Sequence, residues 1–317
     1  METSATPYTL RPNAYTETAQ SVVQSSGTDQ ILYTLTIAIL TLSSIASGVG
    51  LFASGGGEPH EIVNQYGDVV RMYGKGLYQH DSFFRAPIFR GTDFTMFFIA
   101  CPLLILSLIL DVLRKTIKTR LFLVSVVACF NYYATSIAFG VTYNELHLVY
   151  ILLFSASFFG LIVGMMSFPY GRLAHSTRHT LPYRGMYIFL ALTGVALYIA
   201  WLPDILSAMA ARRPLLLIET YTTEITYVLD MGIIAPLALI CLYLLKQRKA
   251  MGYVLLDMLL TLCVLIGIML PIQTIFQMQA GIELSLPVIV TKVAIFCVLA
   301  VFALYFKIQA MRNVVNG

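Results

Sequence analysis

Eight apolar stretches, separated by polar breaks, run at roughly 31–52, 94–113, 121–139, 146–166, 186–206, 227–245, 253–278 and 286–308. Each holds about 20 mostly apolar residues, the length a helix needs to cross a hydrocarbon layer about 30 Å thick. The pattern predicts an all-α fold, a polytopic integral membrane bundle of about eight transmembrane helices, with 31–308 as one transmembrane domain. Residues 1–30 are polar and rich in Ser and Thr, and are expected to form a disordered tail on the cytoplasmic side. They lack the basic segment and short apolar core of a secretory signal. Residues 309–317 form a second short tail.

The longest break, 53–93, has a pattern of its own. After Gly55, Gly56 and Gly57, apolar positions recur at Ile62, Val63, Tyr66, Val69, Val70, Tyr73 and Leu77. That spacing puts them on one face of a helix, with Asn64, Asp68, Arg71 and Lys75 on the other. An amphipathic helix lying on the outer surface is expected here, either as a lid over a site or as packing. The glycine run is a hinge and not a phosphate loop, because no Gly-Lys-Ser/Thr follows it.

The two halves of the chain run in parallel. Each reads span, long outer connection, span, short basic inner turn (114–120 and 246–252), span, short outer turn, span. The outer turns are Glu145-Leu146-His147-Leu148 and Glu283-Leu284-Ser285-Leu286, and Asp93 precedes Pro102 as Asp230 precedes Pro236. Two parallel four-helix repeats related by an axis along the membrane normal would produce this order. Such repeats would place Glu145, Glu283, Asp93 and Asp230 around a cation-attracting mouth.

Composition supports a membrane class, since 58% of residues are hydrophobic, 11% are charged and the mean hydropathy is +0.79. The five cysteines all fall inside spans, which argues against a disulfide framework and for small apolar packing groups. Of the 20 basic residues, Arg11, Arg114, Lys115, Lys118, Arg120, Arg172, Arg178, Arg184, Lys246, Arg248, Lys249, Lys307 and Arg312 fall on one side. Arg71, Lys75, Arg85, Arg90, Arg212 and Arg213 fall on the other, and Lys292 falls within a span. The excess sets the richer side as cytoplasmic, with both termini there and the protein in the cell membrane. The net charge of +4 therefore reflects loops facing lipid headgroups and not a nucleic-acid surface. Asp111 and Asp257, near the inner ends of spans two and seven, are expected to form structural ion pairs with the basic end.

A polar group inside a span costs roughly 2.5–3.5 kcal/mol on insertion scales when charged, so the few present are candidates for function. Lys292 lies about 9 Å below the outer end of span eight at 1.5 Å per residue. Asp230 lies near the outer end of span six, Gln273 and Gln277 share a face near the outer end of span seven, and Asn131 shares a face of span three with Thr135. Together with Asp93, Glu145 and Glu283 they predict a polar layer in the outer half, with Lys292 and Asp230 as a pair. The bland alternative is a hydrogen-bond network that joins helices.

No cofactor or metal is expected. Trp201 alone gives little aromatic box for a retinal on Lys292, and His147 has no axial mate for haem. His175 and His179 at i, i+4, and the Glu58, His60, Glu61 cluster, lack the carboxylate partner or burial a metal site needs. Enzyme motifs such as G-x-S-x-G, H-E-x-x-H and the phosphate loop are absent, so an intramembrane enzyme using carboxylates is the least supported reading. Two others stand. One is a protein that binds or translocates a small solute or ion through the outer polar layer, which span-breaking Pro102, Pro236, Pro271 and Pro287 favour. The other is a non-catalytic accessory or assembly protein with an unidentified membrane partner. The lipid bilayer is common to both.

The charge asymmetry is open to direct measurement. A cysteine introduced at Ala280 should label from outside intact cells, and one at Thr116 only after permeabilisation; labelling of Thr116 from outside reverses the orientation.

Overall fold

The computed structural model describes residues 14–171, 173 and 182–313, with 14–26, 288, 291 and 292 described for their backbone alone. Eight helices among the described residues are long and apolar enough to span a membrane. They are α1 (Ala14–Phe52), α2 (Ala86–Arg114), α3 (Ile117–Gly140), α4 (His147–Met166), α5 (Tyr183–Ala210), α6 (Ile225–Lys246), α7 (Ala250–Gln279) and α8 (286–313). The chain is thus a polytopic helical membrane protein. Residues 14–30, expected to lack structure, continue α1, since each residue added to a formed helix gains a backbone hydrogen bond.

The segment expected to be an amphipathic helix is a β-hairpin instead. β1 (His60–Val63) pairs antiparallel with β2 (Val69–Met72), Ile62 opposite Val70 and Glu61 opposite Arg71. Local chemistry outweighs the helical spacing. Ile62, Val63, Val69 and Val70 are β-branched. The Asn64 side chain accepts from the amides of Tyr66 and Asp68, both at 2.9 Å, and Gly67 takes φ +86°, so the chain turns between the strands. Along β2 the buried positions alternate, Val70 and Met72 in and Val69 and Arg71 out.

Helices α3 and α7 form the centre: 61% and 67% of their spans are buried, against 11–39% for the others. Around them the halves repeat one neighbour pattern. α1 packs on α2 and α4, α2 on α3, and α3 on α4. In the second half α5 packs on α6, α6 on α7, α7 on α8 and, more thinly, α8 on α5. Across the halves α7 meets α2 and α3, while α3 meets α6. Exchanging the halves maps the α2–α7 seam onto the α6–α3 seam.

Glycines make those seams close. A Cβ on Gly91 of α2 would lie 2.6 Å from the Cα of Gln273, and one on Gly140 of α3 would collide with Ile225 of α6. Gly91 and Ile225 stand 134 residues apart, as do Pro102 and Pro236 and the π turns Met96–Ala100 and Asp230–Ile234 that precede those prolines. In that register Asp230 matches Met96, and Asp93 falls almost one helical turn away.

The end opposite the hairpin is held by buried ion pairs, as expected for Asp111 and Asp257. Asp111 accepts from Arg120 Nε at 2.8 Å, Thr119 Oγ1 at 3.0 Å and Tyr33 Oη at 3.1 Å, and Arg120 also reaches Asp29 at 2.8 Å. Asp257 accepts from Lys307 Nζ at 2.8 and 2.9 Å and from Ser125 Oγ at 2.7 Å. Arg120 and Lys307, counted with the basic loops and tail, therefore turn inward.

Removing one member of such a pair strands the other. Lys307→Met should destabilise the protein by about 3–5 kcal/mol, and adding Asp257→Leu should restore part of that loss. Thermal midpoints in one detergent check this; equal midpoints for single and double variants would refute it.

Candidate functional site

Three consecutive side chains of central helix α3 serve three different neighbours. Asn131 Nδ2 reaches Ser157 Oγ of α4 at 3.4 Å, Tyr132 Oη donates to Asp230 Oδ1 of α6 at 3.0 Å, and Tyr133 Oη donates to Asp93 Oδ1 of α2 at 3.0 Å. Successive positions on a helix point about 100° apart, so a short run in the middle of a bundle can address separate partners. The two carboxylates both lie in the half of the bundle nearer the hairpin.

Asp93 is 1% exposed and takes its second donor from outside the bundle. Tyr78, in the connection after the hairpin, inserts its ring against Phe89 and donates its hydroxyl to Asp93 Oδ2 at 2.5 Å. Gly50 of α1 makes room for this bond: a Cβ there would collide with Asp93 Oδ2 and lie 2.8 Å from the Tyr78 hydroxyl. Arg90, one turn before Asp93, donates instead to Tyr73 Oη at 3.0 Å and to the Leu51 carbonyl at 3.2 Å.

Asp230 is 6% exposed and accepts from Trp201 Nε1 at 2.9 Å as well as from Tyr132. It opens the π turn Asp230–Ile234; a second, Met96–Ala100, begins three residues after Asp93, and a third, Val290–Ala294, lies in α8. Pro102 and Pro236 have no N–H to give the preceding turn, and a widened turn is how a helix absorbs that loss. Among the described residues neither carboxylate has a Lys or Arg as ion-pair partner.

The other sequence candidates are spread out. Gln273 Nε2 donates to Thr92 Oγ1 of α2 at 2.7 Å, and Gln277 Nε2 donates to the carbonyl of Phe84, in the connection just before α2, at 3.2 Å. Glu145 and Glu283 stand exposed at their turns, and neither forms a hydrogen bond or ion pair among the described residues. They do not join Asp93 and Asp230 in one mouth, because the two aspartates are enclosed by separate donors. The Lys292 side chain lies outside the described residues, as do His175 and His179, so the expected pairing of Lys292 with Asp230 is not described. Among the described residues no group of three or more His, Cys, Asp or Glu could hold a metal ion.

The sequence reading missed Tyr78, Tyr132, Tyr133 and Trp201, because aromatic residues in apolar stretches read as packing. The usable signal was Asn131-Tyr132-Tyr133 itself: buried tyrosine hydroxyls seek acceptors, and Asp93 and Asp230 are acceptors at similar depth.

Above this layer a buried network ties the connections of both halves. Arg85, its side chain 8% exposed, pairs with Glu224, lies 3.8 Å from Glu219, donates to the Leu217 carbonyl at 3.0 Å and stacks over Tyr221. Ser82 bonds to Glu219, and Asn64 Nδ2 of the hairpin donates to the Glu219 carbonyl at 2.8 Å. Asp81 Oδ1 accepts from Tyr221 Oη and from the Thr142 amide, each at 2.9 Å, while Asp81 Oδ2 is buried with no partner among the described residues. Burial pushes the Asp81 carboxyl up to about 6 against those two donors, and burial raises Glu219 in the same direction.

These features define a class, a polytopic membrane protein with two buried, donor-held carboxylates beneath a tied cap. Comparison of the chain with family models, with curated proteins and with solved structures finds no match.

The Asp81 environment fixes a sign. An acid raised from its ordinary 3.8 to about 6 binds its proton more tightly when folded, so its contribution to stability grows as pH falls through 6 towards 4. The difference is worth up to roughly 3 kcal/mol. The thermal midpoint should therefore rise between pH 7.5 and 5 by more in the wild type than in Asp81→Asn. Parallel pH profiles for the two would contradict this.

Proposed function

We propose that this protein binds and translocates protons, or small cations that take their place, using Asp93 and Asp230 in the outer half of the bundle. The observation that carries the reading is a contrast between carboxylates. Asp111 and Asp257 are answered by Arg120 and Lys307. Asp93 and Asp230 form no ion pair among the described residues and take hydrogen bonds there only from neutral donors, Tyr78 with Tyr133 and Tyr132 with Trp201, while Arg90 acts on Asp93 from a distance. A carboxylate withdrawn from water without a cation is costly, and binding a proton or a bare cation removes that cost. Two hydroxyl or indole donors fix the carboxyl without neutralising it, which suits a site that must both take up and release charge.

Two further features support movement over a fixed structural role. The π turns beside both aspartates are deviations that concentrate at working sites in helices. The prolines next to them free backbone carbonyls at membrane depth, where such groups are tolerated if they line a path or find partners in the protein. The aspartates also meet different faces of α3, Asp93 from α2 of one half and Asp230 from α6 of the other, so a shift between halves would change both environments together.

The test is proton uptake by purified protein in liposomes carrying an interior pH dye. Asp93→Asn and Asp230→Asn should each lower the flux about tenfold or more, a loss of at least about 1.4 kcal/mol in the limiting step. Infrared spectra should show protonated-carboxyl C=O bands that each substitution removes. Wild-type protein that moves no protons or small cations, with both groups permanently ionised, would leave an assembly role as the better reading.

A further inference from the structure

We propose that the hairpin face carries a site for one anionic phospholipid, its phosphate held by Arg71 and Arg213 and an acyl chain laid along the end of α5. The inference goes beyond the proton-binding reading and does not rest on it.

Two grooves meet where α5 ends. The stop is local in origin. The Arg212 amide donates to the Met209 carbonyl and the Arg213 amide to the Ala208 carbonyl, each at 3.1 Å, with Arg212 at φ +49°. This is the reversal that commonly closes a helix, and Pro214, with no N–H to give, follows it. Arg213, Pro214 and Leu215 then stand in the walls of both grooves. One groove, of about 500 Å³, runs over Ile205, Ala208 and Met209 of α5 and is apolar apart from Arg212 and Arg213. The other, of about 580 Å³, lies between the hairpin and the α5–α6 connection and adds Arg71, Asp68 and Glu219.

The positive charge at this junction is not spent inside the protein. Arg71, Arg212 and Arg213 are exposed, and none forms an ion pair among the described residues. Arg71 stacks on Phe83 at 3.9 Å, which orients its guanidinium. Glu219 does not answer these arginines, because it bonds to Ser82 and lies 3.8 Å from Arg85. Asp68 is left as the one lining carboxylate whose side chain has no partner among the described residues. Three guanidinium groups against one free carboxylate make a site for an anion, and the planar guanidinium fork matches a phosphate in particular.

The surroundings select a lipid over a soluble anion. Only 28% of the α5 span is buried, so the end of this helix is open to the bilayer. Leu216 and Val69, which line the polar groove beside the arginines, are 77% and 65% exposed. Unpaired cations bordered by exposed apolar groups at the end of a span suit a molecule with a charged head and an apolar tail. A soluble phosphate would fill the head position and leave the α5 groove unused. The basic excess favours a headgroup with net negative charge over a zwitterionic one. The hairpin already meets the α5–α6 connection where Asn64 donates to the Glu219 carbonyl. A phosphate shared by Arg71 and Arg213 adds a second tie between the same two segments.

The experiment titrates dioleoyl phosphatidylglycerol into delipidated protein in detergent and counts bound lipid by native mass spectrometry. Wild type should fill one site ahead of any weaker binding, and its thermal midpoint should rise as that site fills. Arg71→Gln and Arg213→Gln should each lower the affinity about fivefold, the order that one basic residue contributes near an anionic headgroup. Met209→Gln should lower it through the chain groove. All three side chains are exposed, so midpoints without lipid should stay at the wild-type value. Lys75→Gln is an equal loss of charge on the same face, at a residue that pairs with Glu58 and lines neither groove, and should leave the affinity unchanged. Equal affinity in wild type and all these variants, or equal affinity for phosphatidylcholine, means a non-specific lipid shell and overturns the site. Displacement of the lipid by glycerol 3-phosphate at the lipid's own concentration overturns the lipid assignment in favour of a soluble phosphate.

Discussion

A carboxylate carried into the hydrocarbon layer must be answered by another group of the protein, because no bulk water reaches it there. This chain answers in two ways, and the difference orders the whole molecule. At the basic end the answer is charge: Arg120 for Asp111 and Asp29, Lys307 for Asp257. Breaking such a pair costs more than forming it gains, so these contacts lock α1, α2 and α3 together and fasten α8 to α7. For Asp93 and Asp230, beneath the cap that Arg85 pins by ion pairs, the answer is neutral donors, which orient a carboxyl without fixing its charge. One end is thus set as a rigid base. The other keeps groups whose ionisation can change without breaking an ion pair among the described residues.

Central α3 is what brings these solutions into one frame. Its basic end supplies Thr119 and Arg120 to Asp111 and Ser125 to Asp257, and its hairpin end supplies Tyr132 and Tyr133 to Asp230 and Asp93. The close seams follow from the same placement. Gly91 against Gln273 and Gly140 against Ile225 let α2 approach α7 and let α6 approach α3, in the pattern that exchanging the halves would produce. In a membrane, where lipid is as apolar as leucine, small residues that admit close backbone approach and buried polar contacts are what hold helices together.

The spans were legible because eight stretches of bilayer length leave no competing structure, and the ion pairs because Asp111 and Asp257 sat beside the basic end. The hairpin was not, since Ile62, Val63, Val69 and Val70 fit a helical spacing as well as a strand alternation. Asn64 and Gly67 decided it through a turn. Within the candidate site, carboxylates and amides could be picked out by their cost at depth. Which of them would meet could not, because that depends on rotation of each helix about its axis. Hence Gln273 turns to α2 and Gln277 to Phe84 just before it, Asp93 and Asp230 take separate donors, and the hydroxyls and indole N–H that hold those two acids sit on Tyr and Trp, which count as hydrophobic.

The tie between cap and bundle gives the proposed site its asymmetry. Tyr78 belongs to the connection after the hairpin yet ends in α2, so the position of the cap sets the environment of Asp93 directly. Gly50 permits that insertion and Arg85 anchors the same connection to Glu224 and Leu217 of the other half. Among the described residues the hydrogen bonds to Asp230 come from α3 and α5, and none comes from the connection that carries the hairpin. A motion of the α5–α6 connection would reach Asp93 through Tyr221, Asp81 and Tyr78, and would reach Asp230 along α6 itself. On the proposed reading, the two carboxyls are therefore not equivalent stations. Asp93 is coupled to the outer face by hydrogen bonds, and Asp230 is coupled to the second half by the helices that carry it.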